Sequence, residues 1–150
     1  MQGNKYRFFS LTFLLFLGIS CHLQAQTKIA VIGSESELSK ELDLLTVEFS
    51  KDKSLLVLSR SEWTTLIREY EILKKDTASA YAKFGTISGA DALLILDKQN
   101  LKDKDYLVCR LVTTKEGLIL DAIALPYPLF SGEVDWMKGI TAHFSRKIAK

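Results

Sequence analysis

The chain has only two cysteines, two histidines and two prolines in 150 residues, and no excess of charge of either sign. Each shortage excludes something. Cys21 falls in the N-terminal stretch and Cys109 in an apolar run far downstream, so no disulfide framework staples the fold. Ligand-type residues have no recognisable metal spacing. No paired histidines, Gly-x-Ser-x-Gly or Cys–His spacing marks a nucleophile and its base. The formal charge of +2 comes from Lys5 and Arg7, the only charged residues before position 26; beyond them 18 basic residues face 18 acidic ones. A balanced chain offers no electrostatic footing for nucleic acid. Neither an internal repeat nor a low-complexity linker is present. At 47% hydrophobic content the length fits one domain with a single core.

The first 25 residues have the form of a secretory signal peptide. Lys5 and Arg7 precede Phe8–Ile19, an almost uninterrupted apolar run followed by small and polar residues. A membrane-spanning helix needs about 20 apolar residues, and this run is shorter. Two exits are open. Cleavage after Ala25 leaves a soluble domain at 26–150, although Leu23 is large for its subsite. Alternatively, Leu17–Cys21 resembles the end of a bacterial lipobox, with Gly18 where Leu is expected, and Cys21 becomes the lipidated first residue. Export puts the protein in the periplasmic space bounded by the outer membrane, with membrane contact only through a lipid at Cys21.

Beyond the leader the hydrophobic pattern alternates strand and helix. Lys28–Gly33 reads as a strand ended by Gly. Ser34 and Glu37 have capping-box spacing, and Leu38, Leu42, Leu45 and Phe49 recur on one face of a helix over 35–51. The single glycine and the two glutamates of Gly33–Glu37 argue against a phosphate site at that helix start. Ser54–Leu58 is a second strand. Trp63, Leu66, Ile67 and Tyr70 predict a helix over 61–74, and Ala80, Tyr81, Phe84 and Ile87 a shorter one closed by Gly89. Ala92–Leu96 reads as a strand covered on both faces. The charged run Asp97–Asp105 reads as a solvated turn. Tyr106–Thr114 and Leu118–Leu125 form a hairpin about Lys115–Gly117, ended by Pro126 and Pro128. Val134, Met137, Ile140, Phe144 and Ile148 make a closing amphipathic helix. The expected fold is an α/β sandwich, two-layer or three-layer, with a mixed sheet of about five strands in the order β-α-β-α-α-β-β-β-α.

Three stretches in this order resemble the CsgG-like family, the curli assembly and transport component. They are residues 42–72 (LDLLTVEFSKDKSLLVLSRSEWTTLIREYEI), 82–97 (AKFGTISGADALLILD) and 106–120 (YLVCRLVTTKEGLIL). Ser59 stands where the family has Glu before Arg60, and Tyr70 where it has Gln after Glu69. The resemblance implies that family's soluble, anticodon-binding-like domain, non-catalytic and working through an envelope protein partner or self-association. It also raises a secretion-pore subunit as an alternative, but a spanning strand needs about 9–11 alternating residues, and Asp97–Asp105 is too short and too charged to supply a pair of them. The other alternative is a small hydrolase, with His143 as base or Cys109 as nucleophile; packed or surface roles are the plainer reading of both. No catalytic, cofactor-binding or metal-ligating set emerges.

Overall fold

The strand after the leader is apolar at every position where it matters, and the rest of the fold is laid around it. In the computed structural model, which describes residues 26–33, 35–59, 77–128 and 133–148, β1 (Thr27–Gly33) is buried from Ile29 to Gly33. It lies between β2 (Leu55–Val57) and β3 (Ala92–Leu101) in a sheet of order β2-β1-β3-β4-β5, where β4 is Lys104–Thr113 and β5 is Ile119–Pro126. Both neighbours of β1 are parallel to it, while β3, β4 and β5 run antiparallel in sequence. Parallel strands with helices on each side have no solvent face, which is why β1 and the first half of β3 read as continuous apolar runs.

The pleat divides these runs between two cores. Ile29 and Val31 join Leu94, Leu96, Cys109 and Leu111 under α1 (Glu35–Phe49) and α3 (Glu133–Ile148). Ala30 and Ile32 join Leu93, Ile95 and Val112 under α2 (Ala78–Ser88). Helices on both faces make the sandwich three-layered. The expected stripe Leu38, Leu42, Leu45, Phe49 is fully buried, and Met137, Ile140 and Phe144 of α3 are buried too. Leu38 itself leaves helical geometry (φ −124°, ψ 19°), so α1 carries a kink in place of the smooth helix expected over 35–51. The Ser34 cap and the helix expected over 61–74 lie outside the described residues.

A compact corner ties four elements together. α2 starts at Thr77, whose side chain accepts from the Ala80 N–H, and ends at Gly89 in the left-handed region (φ 68°) with its N–H on Gly85 O. The chain then enters β3 through Asp91. The Asp91 N–H donates to Lys28 O, and its carboxylate accepts the Lys28 N–H at 2.8 Å. The buried Thr114 hydroxyl donates to Ala90 O at 2.5 Å, and the Thr114 N–H to Asp91 O. α2 sits so close to this corner that a Cβ on Gly85 would lie 2.0 Å from Thr114 Cβ.

One expectation fails. Asp97–Asp105 is not a loop: β3 and β4 continue through it to a two-residue turn at Lys102 and Asp103, both at positive φ. Past the helices both faces of a hairpin meet water, so charge is compatible with strand there. Asn100 and Lys98 both bind Asp105, at 2.8 and 2.9 Å, and the ladder is complete to Leu101↔Lys104. A turn with two positive-φ positions ordinarily announces itself by Asn or Gly, and Lys102–Asp103 carries neither.

Two glycine substitutions should move stability in opposite directions. Gly85→Ala forces α2 away from Thr114 and should cost about 1–3 kcal/mol, as overpacking does. Gly139→Ala, mid-α3 with nothing within 4 Å of the added Cβ, should gain about 0.5–1 kcal/mol. Urea unfolding midpoints measure both.

Candidate interaction surface

β5 is an edge strand, and its backbone is guarded. The Tyr127 N–H donates to Asp105 O. Hydrogen-bonded pairs alternate in an antiparallel ladder, so Leu125 and Ile123 also turn their backbone groups to β4, and Ala122, Ala124 and Pro126 turn theirs outward. Of these, Pro126 has no N–H, and the Ala122 N–H is taken by Asp121 Oδ1 at 2.9 Å. Only the Ala124 donor is left on that stretch of edge. A bulge beside Asp121 further breaks the register, with Leu111↔Asp121 followed by Val112↔Ile119.

Asp121 is the one charge in an otherwise apolar strand. Its Oδ2 accepts His143 Nε2–H at 2.9 Å and lies 3.5 Å from Lys147 Nζ, one turn further along α3. Partial burial, to 23% exposure, pulls this carboxyl upward. The bonds from His143, the Ala122 N–H and Lys147 outweigh that and hold it below its ordinary range. The imidazole also packs edge-on against Phe144, 5.0 Å between ring centres. The three side chains thus pin the last helix to the last strand.

Beside this latch β5 and α3 line an open groove of about 630 Å³. Ile123 and Leu125 form its floor; Trp136, Gly139 and Ile140 form the helical wall, with Asp135 and His143 on the flank. Trp136 is only part-buried, packed by one side against the core. A second recess, about 570 Å³, lies at the turn end of the β3–β4 hairpin, between Asn100–Asp105 and Tyr127. There the Tyr127 hydroxyl donates to Glu41 at 3.2 Å and Lys98 Nζ stands 5.4 Å from the ring centre. Burial, with Glu41 beside it, raises the phenol above its ordinary value.

The residues singled out in the sequence are not brought together. Cys21 is outside the described residues. Cys109 is buried in the core, its thiol pushed up to about 12 by burial, which rules out a thiolate nucleophile near neutral pH. His143 meets a carboxylate, but the nearest helical hydroxyls, Thr141 and Ser145, are two positions away and face elsewhere on α3. Among the described residues no group of three or more His, Cys, Asp or Glu could hold a metal, and no helix is long and apolar enough to cross a membrane. Asp121 and Trp136 were passed over by the sequence reading. The signal for Asp121 was there: an isolated charge in an apolar strand demands a partner, and the closing helix carries His143 and Lys147.

No protein-family model matches the chain, and no curated protein sequence does. Its similarity is to solved structures. The C-terminal domain of LpoB from Salmonella enterica superposes with TM-score 0.50 at 13% identity, covering 77% of this chain and 90% of that one. The solution structure of E. coli LpoB superposes with TM-score 0.51 at 11% identity, covering 67% of this chain and 55% of that one. Lipoprotein GNA1162 from Neisseria meningitidis gives 0.44 at 12% identity, over 82% and 98%. The fold is thus similar to that of the LpoB C-terminal domain. The CsgG-like assignment is corrected: no family model supports it, and the solved structures on which the chain superposes at a TM-score of 0.50 or above include LpoB. The segments behind it are a helix–strand run, a Gly-closed helix entering a strand, and a Gly-turn hairpin. Each is a common unit of α/β folds. Arg60 and Tyr70, two of the positions compared, lie outside the described residues.

Asp121→Asn keeps the shape and removes the charge. Because the native carboxyl is held below its ordinary range, the latch stabilises the fold at neutral pH, and that contribution is lost as pH falls through the depressed value. The variant should therefore unfold at lower urea than the parent at pH 7, with the gap closing at the acid end of a pH series.

Proposed function

We propose that this protein is a non-catalytic module of the cell envelope, exported by its first 25 residues and acting through contact with another protein at the groove between β5 and α3. What carries the reading is that groove. An apolar floor, a part-buried Trp136 and a charged flank are the ingredients of a protein-binding hot spot, in which an aromatic anchor sits within a rim that excludes water. The domain comprises 26–150, and its place is the periplasmic side of the outer membrane. The likeness to the LpoB C-terminal domain supports the reading at the level of fold. The His143–Asp121 pair serves as a structural latch: the imidazole is committed to the carboxylate and to Phe144.

A photo-crosslinking residue at Gly139, whose added side chain enters open space, tests this in cells. The expected result is one adduct with an envelope protein. Gly139→Glu puts a charge into the apolar groove and should weaken that association by about 2 kcal/mol, roughly thirtyfold, as losing a hot spot does, with an unfolding midpoint no lower than that of the parent, because a mid-helix glycine is removed at an open position. Absence of any adduct from Gly139, with normal folding, would count decisively against a protein-binding groove.

A further inference from the structure

The exposed apolar side chains of this domain are not spread evenly. Seven large ones are exposed among the described residues: Val47, Leu56, Ile87, Leu101, Leu118, Ile119 and Leu120. Strand pairing fixes where they sit. Leu56 pairs with Lys28, the second residue of β1. Val47 lies in the last turn of α1, which leads back to β2 and to the start of β1. Ile87 is in the last turn of α2, which opens into Ala90 and Asp91 beside Lys28. Leu118 O accepts the Thr113 N–H and Thr113 pairs with Ala92, so the Leu118–Leu120 run also flanks the beginning of β3. Six of the seven therefore gather toward the end of the sheet at which β1 begins. Leu101 alone lies at the other end, in a hairpin of lysines, aspartates and amides.

Leu118, Ile119 and Leu120 are consecutive and 58%, 53% and 48% exposed. A run of this kind on an edge strand is ordinarily either covered or a liability. Strand addition from a second copy is disfavoured beside it, because the Ala122 N–H is already bonded and Pro126 has none to offer.

The length of chain before β1 points to the occupant, a lipid bilayer. Gln26 is fastened beside β2 by its side-chain bond to Lys53 O at 2.8 Å. If Cys21 is the lipidated residue, five Cα steps separate the anchor from this point, at most about 17 Å of extended chain. The sheet from the start of β1 to the β3–β4 turn is longer: eleven residue levels at about 3.3 Å each. A leash that short keeps the far hairpin away from the bilayer and brings the end with the six apolar side chains to it.

We infer that this end of the domain is a membrane seat: Leu118, Ile119 and Leu120 insert into the lipid interface next to the acylated Cys21, which makes the lipobox the exit taken by the leader. The seat rests on the envelope reading above but not on its groove, which opens between β5 and the N-terminal half of α3. Two weak signals then act together, since a single lipid chain holds a protein only marginally and added apolar burial strengthens it. The held orientation would point the charged β3–β4 hairpin away from the membrane.

The test uses the full chain, matured in cells and reconstituted in vesicles of phosphatidylethanolamine and phosphatidylglycerol. Intact mass comes first, and an unacylated product starting at Gln26 overturns the inference. With Cys21 acylated, the variants Leu118→Trp and Leu101→Trp are compared in vesicles with brominated acyl chains. The expected result is loss of about half of the emission added by L118W, at the 5–10 Å depth of an interfacial side chain, and no loss of that added by L101W. Equal quenching of the two, or none of either, overturns the seat while leaving the anchor standing. A blue shift of the L118W emission that grows with protein concentration without lipid would show a second copy as occupant instead, and overturns it too. Because both substitutions are at exposed positions, circular dichroism should be unchanged in each.

Discussion

The corner formed by Ala90, Asp91 and Thr114 holds the registration of the molecule. Asp91 bonds Lys28 through both its backbone N–H and its carboxylate, and the Thr114 hydroxyl closes on Ala90 O in the interior. These bonds set the relative height of β1, β3 and β4. The pleat has a period of two, so a slip of one residue in any of them would turn the core of one face onto the other. Both faces here are buried, so a slip would exchange Ile29 and Val31 with Ala30 and Ile32, side chains of different volume, between two filled cores. Gly85 lets α2 lie against the same threonine. The corner therefore also decides how closely the second layer approaches the sheet.

From that fixed centre the sheet is finished differently at its two edges. β2 is three residues long, too short to template another strand. β5 is long enough to do so, and here the chain uses a proline, a bulge and an aspartate. Asp121 serves two purposes with two oxygens: one covers an outward N–H of its own strand, and the other receives α3 through His143 and Lys147. A charge placed in an apolar strand costs desolvation, which here is only partial. In return the edge is blunted and the closing helix is located, which an apolar residue at 121 could not do.

Much of this was legible in the residues. The alternation of strand and helix, the Gly89 closure, the parallel centre with an antiparallel flank and the buried stripes of α1 and α3 all follow from periodicity and from where glycine and proline stand. What was not legible had specific causes. The Asp97–Asp105 hairpin is charged because it projects beyond the helices, and its turn lacks the usual residues at positive φ. Whether a stretch is covered is a tertiary fact that local polarity does not report. The family resemblance failed for a related reason: short segments that encode common supersecondary units recur in unrelated sandwiches, and their order repeats whenever the topology does. Trp136 escaped notice because it lies beside the Met137, Ile140, Phe144 stripe rather than on it, and a residue at the margin of a buried stripe is where a helix borders a groove.

The two surfaces are geometrically independent, and that bears on how such a domain could work. The apolar end belongs to the strand starts, set by the corner at Asp91; the groove belongs to the angle between β5 and α3, set by the latch at Asp121. Disturbing the latch loosens α3 and changes the groove while leaving β1, β3 and the Leu118–Leu120 run in register. Disturbing the corner shifts the strand starts, and with them β5 through β4. The hierarchy runs one way: the corner supports both surfaces, whereas the latch supports one. A single acidic side chain at the sheet edge, Asp121, is therefore the place where a substitution would alter the proposed groove while sparing the corner that sets the strand starts.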